Sequence, residues 1–281
     1  MRDVDAKEIT KTVTHLFLEA NFYLTDDVLE SLKKAKDTEE SPVGKEVLEQ
    51  LIKNADIAAK EQIPLCQDCG AAVIFLELGQ EVHIVGGDLV AAINQGVSQA
   101  CDKGYLRKSM VKQPFSSRVN TKDNTPAIIY TDVVPGDKLK IIAIPKGGGA
   151  ENMSRLVMLT PAAGRQGIID NVLKAVDEAG SNPCPPIIVG VGIGGTAEKT
   201  LMLAKRALLR KVGEHNADTE VAELEKELLQ KINNLGIGPM GYGGRTTALA
   251  VNVEVFPSHI ASMPLAVNIN CHSSRHKEAV I

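Results

Sequence analysis

The β-type runs of this chain are short, unevenly spaced and punctuated by glycine and proline, and that rhythm limits the folds open to it. Residues 71–78 (AAVIFLEL) stop at Gly79, and runs at 127–134 and 139–144 are joined by Pro135-Gly136-Asp137, which reads as a hairpin. Further strands are expected at 187–191, 248–256 and 265–270. Helical patterns of unequal length separate them, at 166–178, 197–212 and 219–233. Another follows Gly86-Gly87, with Val90, Ile93, Val97 and Cys101 on its apolar face. A doubly wound parallel sheet needs a steady strand–helix alternation, which is missing. The expectation is an α+β fold with mixed or antiparallel sheets surrounded by helices.

Residues 1–60 form a helical N-terminal segment by pattern. Ile9, Val13, Leu16 and Phe17 share one face, Val28, Leu29 and Leu32 another, and Ser41-Pro42 opens a helix carrying Val47, Leu48, Leu51 and Ile52. Thr25 or Asp26 is the expected cap of the second helix. No internal repeat or low-complexity linker is present, so residues 1–281 read as one domain, helical over 1–60 and α+β over 61–281. Tryptophan is absent and aromatic residues make up 3%, so the core must be aliphatic.

The formal charge of −4 argues against a nucleic-acid binder, which carries a concentrated basic surface. Arg2, Asp3, Asp5, Lys7 and Glu8 break up the N-terminus, and the longest uncharged stretch, 181–197, is interrupted by Pro183, Pro185 and Pro186. Neither a signal peptide nor a membrane span is expected, and a cytoplasmic setting follows. There, five cysteines are expected to be reduced, ligating or catalytic rather than disulfide-bonded.

The five differ in context. Cys101 lies on an apolar helical stripe and reads as a core residue. Cys66, Cys184 and Cys271 lie in irregular, polar or proline-bounded surroundings: PLCQD, NPCPP and NCHSSR. Loops of that kind can turn thiolates toward one point while main-chain N–H groups bond to sulfur, as metal ligation requires. Three unrelated loop cysteines are the alternative. Cys66 and Cys69 also form a C-x-x-C pair, which suits zinc or a redox couple. A structural zinc site would bring a second close pair, and a thioredoxin-type pair would follow a strand and open a helix; neither holds here.

Residues 190–195 (GVGIGG) match G-x-G-x-x-G between a strand and a helix, a dinucleotide-binding pattern. The acidic strand end expected about 20 residues on is replaced by helix, so a tight strand-to-helix turn is the preferred reading. Residues 146–152 (KGGGAEN) also lead from strand to helix without a Walker Gly-Lys-Ser/Thr. Their main-chain N–H groups could face a carboxylate, or the loop could simply be flexible. Residues 238–244 form a third glycine cluster with no chemistry assigned by the sequence itself.

Seven segments, in order over about 210 residues, resemble the α subunit, or N-terminal domain, of class I iron–sulfur fumarases and L-tartrate dehydratases: 64–70 (PLCQDCG), 106–110 with Gln113-Pro114, 118–127 (RVNTKDNTPA), 146–152 (KGGGAEN), 184–195 (CPPIIVGVGIGG), 236–244 (GIGPMGYGG) and 268–275 (NINCHSSR). The resemblance implies that Cys66, Cys184 and Cys271 bind a 4Fe–4S cluster with one open iron, a Lewis acid for a substrate hydroxyl. It implies Asp68 and His259 as a catalytic proton-transferring pair, and Gln67, Asp68, Arg107, Gly148 and Gly149 as substrate-binding residues for a small dicarboxylate.

The expected activity is reversible hydration of fumarate to (S)-malate, with L(+)-tartrate dehydration as the alternative. A dinucleotide-dependent oxidoreductase using residues 190–195 and a non-catalytic cluster carrier are more distant alternatives. Cys69 departs from the family, where threonine is common. The chain also stops ten residues after Cys271, whereas single-chain relatives continue into a second domain. A fumarase-type β subunit is therefore expected, in a heterotetramer of two α and two β chains, with little activity from this chain alone.

Overall fold

The computed structural model describes residues 1–281. In chain order its main elements are β1 (Arg2–Asp5), α1 (Ala6–Phe22), α2 (Asp26–Thr38), α3 (Pro42–Glu61), β2 (Ala71–Gly79), β3 (Val82–Val85), α4 (Leu89–Lys103), β4 (Ile128–Val134), β5 (Leu139–Lys146), α5 (Gly148–Glu151), β6 (Arg155–Leu159), α6 (Gly164–Ala179), β7 (Ile187–Gly194), α7 (Ala197–Ala207), α8 (Thr219–Asn233), β8 (Ala248–Phe256), β9 (Met263–Asn270) and β10 (Lys277–Val280). The α+β class is as expected, with mixed and antiparallel pairing. None of the helices is long and apolar enough to cross a membrane.

Main-chain contacts divide the chain into two compact units. The first comprises residues 1–25, 54–148 and 275–281, and the second 26–53 and 149–274. Of the helical N-terminal stretch, residues 1–25 and 54–60 fall in the first unit and 26–53 in the second.

In the first unit a four-stranded sheet has the order β10-β5-β2-β4. β2 pairs antiparallel with β5 and parallel with β4. The expected 127–144 hairpin is thereby corrected: β4 and β5 lie on either side of β2 and do not pair with each other. The apolar β2 is buried from Ala72 to Leu76 and takes the central position, where both of its edges are hydrogen-bonded. The turn after β4 crosses the end of β2, with Gly79 N donating to Lys138 O and Gln80 N to Val134 O.

Helices α1 and α4 pack together in this unit. Ile9, Val13, Leu16 and Phe17 of α1 join Ile93, Val97 and Cys101 of α4, with Ile74, Leu139 and Ile141 of the sheet, in one aliphatic core. The α1 stripe read from the sequence is the buried face, whereas on α4 Ile93, Val97 and Cys101 are buried and Val90 is 51% exposed. Buried Thr10 and Thr14 hydroxyls donate across the helix pair to Ala92 O and Gly96 O.

The second unit holds a sheet of order β6-β9-β7-β8, with β7 antiparallel to β9 and parallel to β8. Side chains alternate across a strand. Ile187, Val189, Val191 and Ile193 of β7 enter a core with α6 and α8. The intervening Gly190 and Gly192 face α7, and a Cβ there would stand 2.1 Å from Ala204 O and 2.2 Å from Thr200 O respectively. These glycines let α7 lie directly on the strand. The G-x-G-x-x-G pattern therefore has a packing role, as the strand-to-helix reading anticipates.

Gly192→Ala should force α7 off the sheet and cost about 3 kcal/mol, an overpacking effect. The expected readout is a lower urea midpoint at constant m value, and an unchanged midpoint would show that α7 is free to shift.

Candidate functional site

The strand directions of the second unit determine where its cysteine loops meet. Cys184 lies three residues before β7 and Cys271 directly after β9. In the antiparallel register Ile188 faces Asn270, so the start of one strand and the end of the other share an edge. The two loops are joined there, His272 N donating to Cys184 O at 3.2 Å. Cys184 has a φ of 56°, and its own N–H donates to Ser181 O at 3.0 Å. Cys271 Sγ lies 3.5 Å from Ser273 Oγ, and Asn270 Nδ2 donates to the buried Ser274 Oγ at 3.0 Å.

Two further segments brace this edge. Met240 N, in the third glycine cluster, donates to Pro185 O at 2.8 Å, beside Cys184. Glu39, 2% exposed, secures that cluster by accepting Arg245 N at 2.9 Å and Thr246 N at 2.7 Å, along with Glu40 N and Ser41 N. Gly244 has a φ of +122°, and a Cβ there would lie 2.6 Å from the Glu39 carboxylate. Burial pushes the Glu39 carboxyl up, but the N–H donors of Ser41, Arg245 and Thr246 outweigh it and hold the pKa at about 2. Asn268 Nδ2 donates to Glu151 Oε2 at 3.0 Å and Ser154 Oγ at 2.7 Å, linking residues 151–154 to β9, which leads into Cys271.

The first unit holds the Cys66 loop, between α3 and β2. Leu65 O accepts from Asn54 Nδ2 at 2.8 Å. The Cys66 thiol donates to Gln67 Oε1 at 3.2 Å, and Asp68 N–H donates to Cys66 Sγ at 3.4 Å. Asp68 accepts Gly70 N at 3.0 Å on one carboxylate oxygen and Gly148 N at 2.6 Å on the other. Gly148 N–H, expected to face substrate, is thus given to Asp68. Buried Asn124 donates to Gly70 O at 3.0 Å and accepts Ser109 N at 2.9 Å. Arg107 has an exposed side chain, while its main-chain N–H donates to Cys69 Sγ at 3.2 Å.

Burial is the main cause that raises the Cys69 thiol, and it pushes Cys101 up to about 12. Both are neutral thiols in the apolar core, as foreseen for Cys101. None of the five cysteines forms a disulfide. Neither unit alone gathers three His, Cys, Asp or Glu side chains into a metal-holding group. Cys66 belongs to the first unit, and Cys184 and Cys271 to the second.

His259 stands elsewhere in the second unit. It follows β8, whose last residue Phe256 pairs with Gly194 at the far end of β7. Seven residue steps of strand, roughly 23 Å, lie between that end and the cysteine edge. His259 lines a depression of about 350 Å³ with Gly195, Thr196, Lys199 and Phe256, and its Nδ1 accepts Ala261 N–H at 3.1 Å. It does not join Cys184 and Cys271 within the unit they share. Gly149 is exposed and opens the 149–274 segment of the second unit.

Sequence reasoning missed Glu39, Glu151 and Asn268 as anchors. The last two lie inside segments singled out for their pattern, whereas Glu39 carries no local signal because its partners are over 200 residues away.

A cysteine-bearing α+β protein with paired cysteine loops invites comparison with metal-dependent enzymes. The profile of the family described as fumarate hydratase (Fumerase) matches residues 10–280. A Methanocaldococcus jannaschii protein provisionally named L(+)-tartrate dehydratase subunit alpha is 44% identical over 274 residues, covering 95% of each chain. The L(+)-tartrate dehydratase subunits alpha of Escherichia coli strains UTI89 and K12 are 31% and 30% identical, over 95% of this chain and 89% of theirs. The chain belongs to the fumarate hydratase (Fumerase) family, a hydro-lyase family.

Glu39→Gln replaces an acceptor of several N–H bonds with a group that also donates, and should cost about 2–3 kcal/mol at neutral pH. The folded pKa of about 2 lies below the ordinary 4.5, so the carboxylate's contribution is complete above that value and fades as pH falls toward 2. Urea midpoints of the two proteins should therefore converge in acid; a gap independent of pH would remove the charge from the account.

Proposed function

We propose that this chain is the α subunit of a two-subunit iron–sulfur hydro-lyase that dehydrates L(+)-tartrate. The observation that carries the proposal is the link between the Cys184 and Cys271 loops in a chain aligned nearly end to end with tartrate dehydratase α subunits. Two loop thiols at one sheet edge, and a third whose sulfur receives a main-chain N–H, suit an iron–sulfur cluster. Cys66, Cys184 and Cys271 would hold a 4Fe–4S cluster. When bound, it supplies a Lewis acid that makes loss of a hydroxyl feasible at neutral pH.

This chain's own groups bind and orient the substrate and move the proton. Arg107, exposed and outside any ion pair, offers a planar fork to one substrate carboxylate. Gln67 sits next to the first ligand and presents a carboxamide to the same substrate. Asp68 exchanges a proton at the departing or entering hydroxyl oxygen, its carboxylate oriented by the Gly70 and Gly148 N–H groups. Gly149 N–H is a further donor for a substrate carboxylate. His259 is the proposed imidazole partner of Asp68 in proton transfer, in an assembly of two α and two β chains. A fumarase-type β subunit supplies the remaining groups.

Fumarate hydration to (S)-malate is the second reading, favoured by the description of the matching family. L-tartrate carries one hydroxyl more than malate, so the two substrates test the pocket directly. The α chain co-purified anaerobically with its β partner should turn over tartrate faster than malate. A preference for malate would transfer the assignment to fumarase.

Cys66→Ser, Cys184→Ser and Cys271→Ser should each abolish iron retention and the visible sulfur-to-iron absorbance, whereas Cys101→Ser should keep both. Full iron content in any of the first three would overturn the ligand set. Arg107→Ala should raise KM about ten-fold with little change in kcat, as expected for loss of uniform carboxylate binding. An unchanged KM would take Arg107 out of the site.

A further inference from the structure

Arg275 is 3% exposed. A buried guanidinium is costly unless its donors are matched, so its partners indicate its task. Nη2 donates to the main-chain oxygen of Asp68 at 2.8 Å and to Asn21 Oδ1 at 3.4 Å. Asn21 is fully buried near the end of α1, and its Nδ2 donates to Phe17 O at 2.9 Å. Its main-chain oxygen accepts Leu65 N at 2.9 Å.

The Arg275–Asn21 pair therefore holds the tetrapeptide 65–68 at both ends: Leu65 through the Asn21 carbonyl and Asp68 through the guanidinium. Cys66 and Gln67 lie between the two attachments. Both anchors are themselves secured. Phe17 is fully buried in the first unit's core, and two residues beyond Arg275 the chain enters β10, where Lys277 pairs with Ala143 of β5.

We propose that Arg275 is a positioning residue that holds Cys66 ready as a ligand and Asp68 ready as a proton carrier, touching neither cluster nor substrate. The functional half of this proposal rests on the cluster reading given above. One guanidinium nitrogen, Nη2, bridges two acceptors on separate segments; its N–H groups are fixed in the plane of the group, whereas a lysine ammonium on a flexible stem holds such a bridge less firmly.

Competitive iodoacetamide labelling of the full apo chain, quantified for all five cysteines, tests the mechanical half. Arg275→Gln should raise the Cys66 rate about ten-fold through local opening of the loop. Cys184 and Cys271 should change little and Cys101 should remain protected. Arg275→Lys should give a selective rise of about three-fold, and it carries the test alone should the glutamine variant fail to fold. No rise at Cys66, or an equal rise at every cysteine, would overturn the positioning role.

In the anaerobic complex with the β partner, Arg275→Lys should release iron to a chelator several-fold faster than the unsubstituted protein, and should lower kcat with little effect on KM. Unaltered iron release would separate Arg275 from the cluster. A wild-type complex that takes up no iron would sink the cluster reading itself, while the labelling would still decide whether Arg275 holds the loop.

Discussion

The antiparallel pairing of β7 with β9 is the constraint on which the candidate site depends. With Ile188 opposite Asn270, the chain must enter β7 and leave β9 at the same edge, and Cys184 and Cys271 sit within a few residues of those points. The parallel partner β8 delivers His259 to the other edge by the same logic. A one-residue slip would turn every β7 side chain over, putting glycine into the core and isoleucine or valine against α7. Core packing and loop placement are thus one decision.

Two carboxylates, Glu39 and Asp68, serve as acceptors for main-chain N–H groups of loops. Glu39 gathers the N–H groups that flank the third glycine cluster, and Asp68 gathers those of Gly70 and Gly148. Irregular backbone has many donors that no ladder satisfies, and a buried donor left alone is costly. A carboxylate with two oxygens can settle several at once. The long connections bearing the cysteines can therefore hold a definite shape without regular secondary structure. Asn21, Asn54, Asn124 and Asn268 act similarly, joining loops to helices and strands.

Much of the fold was legible locally. The apolar stripes of α1 and α4, the start of α3 at Ser41-Pro42, where Ser41 Oγ accepts Gly44 N, and the limits of α8 and β8 all follow from periodicity and capping. The short strands β1, β3, β6 and β10 escaped, because four or five residues contain too few alternations to stand out. The 127–144 hairpin was misread for a different reason. A Pro-Gly-Asp turn marks a change of direction, but which strand then lies alongside is settled by the apolar β2, more than 40 residues earlier.

By itself, the sequence determined the aliphatic character of the core, the positions of most helices, and the separation of three loop cysteines from the core Cys101. These are local matters of composition, period and punctuation. Only the tertiary structure decided the strand order, the meeting of the Cys184 and Cys271 loops, the distance of His259 from them, and the partners of Glu39 and Asp68. Each of these rests on hydrogen bonds or packing between residues far apart in the chain. Such pairings depend on which burial arrangement of the whole chain is most favourable, and no short window of residues records that.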